Sequence, residues 1–136
     1  MKKARPPPAD DPLLQQVIGQ LASNAFAAKA TVLAAVEELE TGFAAVASVA
    51  DNAEELSEQA AVAAAQAKVV VDDLASRSGW LLFDVGGASA TRAAFNLDRH
   101  WRNARTIASH NPSLYKTQAI GARLVSDAPL PPSALF

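Results

Sequence analysis

The side chains that could take part in chemistry are concentrated in the last third of the chain. Residues 97–105 carry three arginines, an aspartate and a histidine. On a helix, Asp98 lies four residues before Arg102, and Arg102 lies three before Arg105, so these charges share one face. Two interpretations stay open: a salt-bridged face that anchors a helical bundle, or guanidinium groups that bind an anion such as phosphate.

His110 stands in a Ser-His-Asn-Pro segment, where Pro112 must end a helix. A histidine at a helix C-terminus can bond the last carbonyl groups. A neutral imidazole beside such a break can instead exchange a proton with a bound ligand. The spacing of His100 and His110 matches no metal motif and the chain has no cysteine, so we expect no metal site.

A glycine-rich segment, Gly86-Gly87-Ala88-Ser89-Ala90, precedes these residues. It follows a predicted helix rather than a strand, and it matches neither of the glycine patterns that bind phosphates. By itself it predicts a tight turn or a close approach of the backbone to another group.

Two long helices should hold these residues in place. The first is expected to start with Asp11 as N-cap and Pro12 at its first position. Gly42 is expected to end or kink it, and the state of residues 43–50 is left open. Its apolar positions alternate spacings of four and three, which predicts a seam toward a neighbouring helix: Leu14, Ile18, Leu21, Ala25, Ala28, Val32, Ala35 and Leu39.

The second long helix is expected to be capped by Asp51 or Asn52 and to be interrupted at Gly79. Residues 91–108 are expected to form a further helix with a break near Asn96. Ser113 is expected to cap a last helix that ends near residue 124. The second helix repeats the same apolar alternation: Leu56, Ala60, Ala63, Ala67, Val70 and Leu74.

The composition agrees with an all-α, antiparallel helical bundle. Of the 136 residues, 31 are alanine, five are phenylalanine, two tryptophan and one tyrosine. Alanine favours helices but buries little surface, so a thin core is expected. The net charge of −2 excludes the basic surface of a nucleic-acid binder. No apolar run is long enough to cross a membrane and no signal peptide is evident, which predicts a cytoplasmic protein.

Three segments resemble a known family: FDVGGASAT at 83–91, LDRHWRNART at 97–106 and SHNP at 109–112. Together they are similar to the C-terminal helical domain of the acyl-CoA dehydrogenase superfamily. Within it they look most like the flavin-dependent monooxygenases typified by dibenzothiophene monooxygenase and the sulfur-acquisition oxidoreductases. The likeness is weaker around Ala4-Arg5-Pro6, and between residues 41 and 76 it rests on pattern alone.

The resemblance implies a flavin, FMN or FAD, held between domains and across a subunit interface of a homotetramer. Arg5 matches the family's arginine that contacts the flavin phosphates. Gly86 and Gly87 match a turn that approaches the flavin of the neighbouring subunit, and Ser89 stands in that turn where dibenzothiophene monooxygenase has arginine. His110 matches a histidine near the flavin's reactive face, which implies a role in proton transfer.

The departures from the family pattern leave three hypotheses. Common acyl-CoA dehydrogenases carry a Glu-Gly-Thr segment whose glutamate acts as the base, and the corresponding segment here has no carboxylate. Ile107 stands where some of the monooxygenases have a second histidine. The chain is therefore interpreted first as the C-terminal domain of a reduced-flavin monooxygenase. The alternatives are a conventional acyl-CoA dehydrogenase fragment and a non-catalytic helical module for oligomerisation.

The expected division is an extended Pro-rich arm at 1–11, a helical bundle at 12–124 and a tail at 125–136. Compared with the family, the first bundle helix and two preceding domains are missing. We therefore expect the isolated chain to be inactive and to bind flavin weakly or not at all. We also expect it to form a homo-oligomer or to join a partner chain that carries the other domains.

Overall fold

The computed structural model describes residues 7–132, and that part of the chain contains helices and no strand. The four α-helices are α1 (Pro12–Ala47), α2 (Ala53–Gly86), α3 (Asp98–His110) and α4 (Ser113–Ser126). The all-α prediction is confirmed. Arg5 lies outside the described residues. No helix within residues 7–132 combines the length and the apolar character needed to cross a membrane.

The start of α1 agrees with the sequence prediction. Asp11 is the N-cap, and its Oδ1 accepts a hydrogen bond from the backbone N–H of Leu13 at 3.0 Å, while Pro12 occupies the first helical position. The preceding residues Pro8–Asp10 form one turn of 3-10 helix, so this part of the arm is not fully extended.

Gly42 does not end α1, contrary to one of the two outcomes predicted for it, because the helix continues to Ala47. Gly42 is buried against α2. A Cβ added there would lie 3.1 Å from the Cβ of Ala60 and 3.2 Å from the carbonyl oxygen of Leu56. The glycine therefore lets two helix backbones approach closely, and this contact outweighs its low helix propensity.

Helices α1 and α2 form an antiparallel hairpin. Gly42 meets Ala60 near the connecting turn, and at the far end the side-chain amide of Asn24 donates a hydrogen bond to Ser78 Oγ at 3.1 Å. Asn24 is buried, and its Oδ1 accepts from Gln20 Nε2 at 2.8 Å. A satisfied polar group between the helices fixes how they are aligned along their length.

The predicted seam of α1 is correct at five of its eight positions and wrong at the other three. Leu14, Leu21 and Ala35 are buried or half-buried, as expected. However, Ile18, Ala25 and Val32 are exposed, and the face toward α2 instead uses the preceding residues Val17, Asn24 and Thr31. Apolar residues cover more of α1 than the one face that α2 contacts, so apolarity alone did not identify that face.

Helix α2 packs against all three other α-helices and forms the centre of the domain. The predicted seam residues Ala60 and Ala67 are buried in it. The thin core is confirmed, because every buried hydrophobic residue of the described region is an alanine and no large side chain there is completely buried. These residues are Ala35, Ala45, Ala60, Ala65, Ala67, Ala90 and Ala119.

The packing of α3 on α2 depends on a second close approach. Gly79 lies inside α2 and does not interrupt it, contrary to the prediction. A Cβ at Gly79 would lie 3.0 Å from the Cα of Trp101. Residues 87–95 form 3-10 turns and α3 begins only at Asp98, but the predicted break is present, since Asn96 adopts a left-handed conformation with φ of 47°.

Helix α4 returns along α2 and is held by polar contacts at both ends. Near its C-terminus, Arg123 donates two hydrogen bonds to the carboxylate of Glu58, at 3.0 and 2.7 Å. At its start, Ser113 does not act as the predicted cap. Its hydroxyl donates to Asp72 Oδ2 at 2.5 Å, which ties the first turn of α4 to α2.

The close approach at Gly42 can be tested by substitution with leucine. Gly42→Leu places a side chain against the backbone of α2, so we expect it to destabilise the fold by about 1–3 kcal/mol despite the better helix propensity of leucine. Thermal and urea unfolding followed by circular dichroism measure the change. The matched control is Gly19→Leu, on the same helix, where an added Cβ would meet nothing within 4 Å. Equal effects of the two substitutions would contradict the role assigned to Gly42.

Candidate functional site

The predicted proton-transfer residue stands at an exposed helix end. His110 is the last residue of α3, and its side chain is exposed. It makes no hydrogen bond within residues 7–132, so it does not bond the last carbonyl groups of the helix. The imidazole is therefore accessible to a ligand or to another chain, and its catalytic role remains a prediction.

The charged face predicted for Asp98, Arg102 and Arg105 on α3 is only partly present. Arg102 forms an ion pair with Asp98 at 2.9 Å and donates a hydrogen bond to Asn96 Oδ1 at 3.0 Å. More than half of both charged side chains is exposed, so the pair contributes well below ~1 kcal/mol. Arg105 does not pair with the other charges of this face, contrary to the prediction. It has no acidic ion-pair partner in the described part of the chain.

Arg105 instead lines a cleft between α2, α3 and α4. This cleft has a volume of about 640 Å³, and Asp72, Ser109 and Ser113 also line it. The guanidinium group shares this lining with hydroxyl groups and with the carboxylates of Asp72 and Asp73, so the cleft suits a small polar ligand better than an anion. His110 is not a lining residue, although its neighbour Ser109 is.

The glycine turn follows directly after α2. Gly87 has a φ of 58° and a ψ of −158°, which only glycine adopts without strain. A Cβ at Gly86 would lie 2.5 Å from the Cβ of Ala90, so this position also requires glycine. The predicted tight turn is therefore confirmed, and its own geometry accounts for both glycines. Ser89 lies in this turn and is exposed.

A partly buried polar cluster between α2 and α4 was not predicted from the sequence. Lys68 Nζ donates to Asp72 Oδ2 at 2.7 Å, the same oxygen that accepts from Ser113. Lys116 is buried beside this pair, with 3% of its surface exposed. Burial is the main cause that lowers the pKa of Lys116, and the positive charge of Lys68 lowers it further, while Asp72 opposes the shift. The sequence contains one signal of the cluster, the i, i+4 spacing of Lys68 and Asp72.

The family of this domain is shown by its similarity to known proteins. Residues 2–113 match the family described as "Acyl-CoA dehydrogenase, C-terminal domain", which covers α1 to α3 and the first residue of α4. The chain belongs to this family. The resemblance drawn from the three sequence segments is thus confirmed for the family and for the fold.

A similar curated protein is the "Probable FMNH2-dependent monooxygenase SfnC" of Pseudomonas putida. It is 44% identical over 52 residues, which are 38% of this chain and 13% of that protein. The chain thus matches a small part of the length of this relative. The family match shows an acyl-CoA dehydrogenase C-terminal domain, and the name of this relative describes it as dependent on FMNH2.

The glycine turn of this acyl-CoA dehydrogenase-type domain fits contact with a flavin, but not its enclosure. Gly87 is exposed and a Cβ there would stand in open space, so a ring or a phosphate could reach the backbone. Three clefts of about 450–640 Å³ were found, and none of the three is lined by Gly87, Ser89 or His110. A flavin at this turn would therefore lie on an open surface. No group of acidic, histidine or cysteine side chains in residues 7–132 could hold a metal ion.

The lowered pKa of Lys116 predicts a specific dependence of stability on pH. At pH values between the pKa of Lys116 in the fold and its ordinary value of 10.5, this lysine is more fully protonated in the unfolded chain than in the folded chain. Stability should therefore rise as the pH increases through that window. Lys116→Met should flatten the rise, measured by urea unfolding from neutral pH to pH 10.5.

Gln118→Met is the matched control for this experiment, because Gln118 is uncharged and exposed on the same helix. It should leave the pH dependence as in the unmodified chain. An identical pH dependence in Lys116→Met and in the unmodified chain would show that this lysine does not titrate differently in the fold.

Proposed function

We propose that the chain is the C-terminal domain of an FMNH2-dependent monooxygenase. The observation that carries this proposal is the end of α3, where Ser109, His110 and Asn111 present an accessible imidazole and no carboxylate. In the dehydrogenase alternative, a suitably placed carboxylate must act as the base that removes a proton from carbon. An imidazole can both donate and accept a proton near neutral pH. The name of the Pseudomonas putida relative describes it as dependent on FMNH2, which favours FMN over FAD.

In this proposal the domain supplies one wall of the flavin site. The exposed turn at Gly86 and Gly87 would contact the flavin of a neighbouring subunit, and Ser89 would add a hydroxyl group. Arg5 would contact the phosphate. When bound, reduced flavin would supply the oxygen-activating chemistry. His110 would hold or move a proton at its imidazole nitrogen, and the covering domain would exclude water.

The remaining walls must come from other domains, in a longer protein or in a partner chain. The described residues hold no enclosed site at the glycine turn, and the match to SfnC covers 13% of that protein. As an alternative, the exposed apolar residues of α1 would also suit a non-catalytic module that only assembles chains. The experiments below distinguish these functions.

A domain exchange tests the role of His110. We expect a chimera in which this chain replaces the corresponding part of SfnC to retain FMNH2-dependent turnover of that enzyme's substrate. In this chimera His110→Ala should lower kcat by about 100-fold or more, because a proton-transfer group is lost, while FMN binding is preserved. His100→Ala is the matched control, since His100 is exposed on the same helix. Unchanged turnover in His110→Ala would remove this histidine from the mechanism, and a chimera that assembles but never turns over would favour the non-catalytic module.

The isolated chain should bind FMN weakly or not at all. The reason is the open surface around the glycine turn, which cannot bury an isoalloxazine ring. Titration of the full chain with FMN, followed by flavin fluorescence, measures this affinity. Purification of the chain with stoichiometric flavin would contradict the expectation and would show that the domain encloses its cofactor without a partner.

A further inference from the structure

The cleft between α2, α3 and α4 has a polar lining that the proposed function does not use. We name it the three-helix cleft. Its volume of about 640 Å³ lies within the range of sites that hold small molecules. Neither His110 nor any residue of the glycine turn lines it. All three helices contribute polar residues to its lining, among them Asp72, Asp73, Arg105, Ser109 and Ser113.

Arg105 supplies the positive charge of the three-helix cleft. This residue is exposed, and its guanidinium group takes part in no hydrogen bond or ion pair within residues 7–132. Arg102, on the same helix, differs because it pairs with Asp98 and donates to Asn96. The N–H groups of Arg105 are therefore left for a ligand, and a planar guanidinium group binds a carboxylate through two parallel hydrogen bonds.

Asp72 and Asp73 supply acceptor oxygens on the α2 side of the cleft. Oδ2 of Asp72 accepts from Lys68 and Ser113, at 2.7 and 2.5 Å. Oδ1 of Asp73 accepts from Arg77 Nε at 2.9 Å, and neither Arg77 nor Lys68 lines the cleft. The other oxygen of each carboxylate accepts no hydrogen bond within residues 7–132. These oxygens suit a ligand group that donates hydrogen bonds, such as an ammonium group.

The two kinds of charge in one cleft select the charge type of the ligand. A simple anion bound to Arg105 would share the cleft with two carboxylates, and a simple cation at the carboxylates would share it with a guanidinium group. A molecule with a carboxylate at one end and an ammonium group at the other meets opposite charge at both ends. Val69, Ala108 and Leu114 line the same cleft and can contact the hydrocarbon between the two ends.

We propose that the three-helix cleft binds a small zwitterion of the amino-acid class, with its carboxylate on Arg105 and its ammonium group on Asp72 and Asp73. The hydroxyl oxygen of Ser113, whose hydrogen is donated to Asp72, can accept a further bond from the ammonium group. This site does not rest on the proposed function, because three helices of this chain form the cleft and neither the glycine turn nor His110 lines it.

Isothermal titration calorimetry of the full chain tests the charge type of the ligand. The probes are glycine, β-alanine, γ-aminobutyrate and ε-aminocaproate, which differ in the distance between the carboxylate and the ammonium group. At least one of them should bind about tenfold or more tightly than butyrate or butylamine, each of which carries a single charge. The proposal is overturned if no zwitterion in this series binds more tightly than both of these singly charged molecules.

Two substitutions test the assigned contacts with the probe that binds best. Arg105→Gln should lower its affinity by about tenfold or more, because the carboxylate of the probe loses its charged partner. Asp73→Asn should lower the affinity by a smaller factor, because Asp72 remains. Asp73 is the better choice for substitution, since Asp72 also ties α4 to α2 through Ser113.

Each substitution has a matched control at an exposed position of the same helix that does not line the cleft. Arg99→Gln on α3 and Asp84→Asn on α2 make the same changes of charge and should leave the affinity unchanged. All four variants should keep the helix content of the unmodified chain by circular dichroism. Equal affinities of Arg105→Gln and Arg99→Gln for the probe would refute the contact assigned to Arg105 and with it the proposed site.

Discussion

The structure depends on the close approach of helix backbones whose buried hydrophobic residues are alanines. Because the buried hydrophobic residues of the described region are all alanines, each contact removes little apolar surface from water. The helices must therefore come close together to gain enough dispersion energy. Gly42 and Gly79 make this possible, the first between α1 and α2 and the second between α2 and Trp101 of α3.

This way of packing has two consequences for the rest of the molecule. Small side chains interlock poorly, so polar contacts supply the alignment that a larger core would supply: Asn24 with Ser78, Asp72 with Ser113, and Glu58 with Arg123. The large apolar side chains of α1 are meanwhile left on the surface. The domain is thus held together by close backbone contacts and polar ties, and it leaves large apolar side chains of α1 exposed.

The candidate site was predicted from sequence in its chemistry but not in its contacts. The glycine turn and the position of His110 at a helix end follow from local rules, since proline ends a helix and Gly87 must adopt a positive φ. The different contacts of Arg102 and Arg105 do not follow from these local rules. Arg102 pairs within its own helix, whereas Arg105 lines the cleft that also contains Asp72. Only the packing of α3 and α4 on α2 decided this.

The sequence by itself determined the helical class, the capping of α1 by Asp11, the break at Asn96 and the family, because these depend on local backbone preferences or on short motifs. The tertiary structure alone decided what Gly42 and Gly79 do, which face of α1 meets α2, and that Ser113 bonds to Asp72 instead of capping its own helix. The physical reason is that a glycine's helix penalty is a local property, whereas its benefit depends on another helix. Likewise, α1 is apolar on more sides than one partner can cover, so only the position of α2 separates a buried seam from an exposed one.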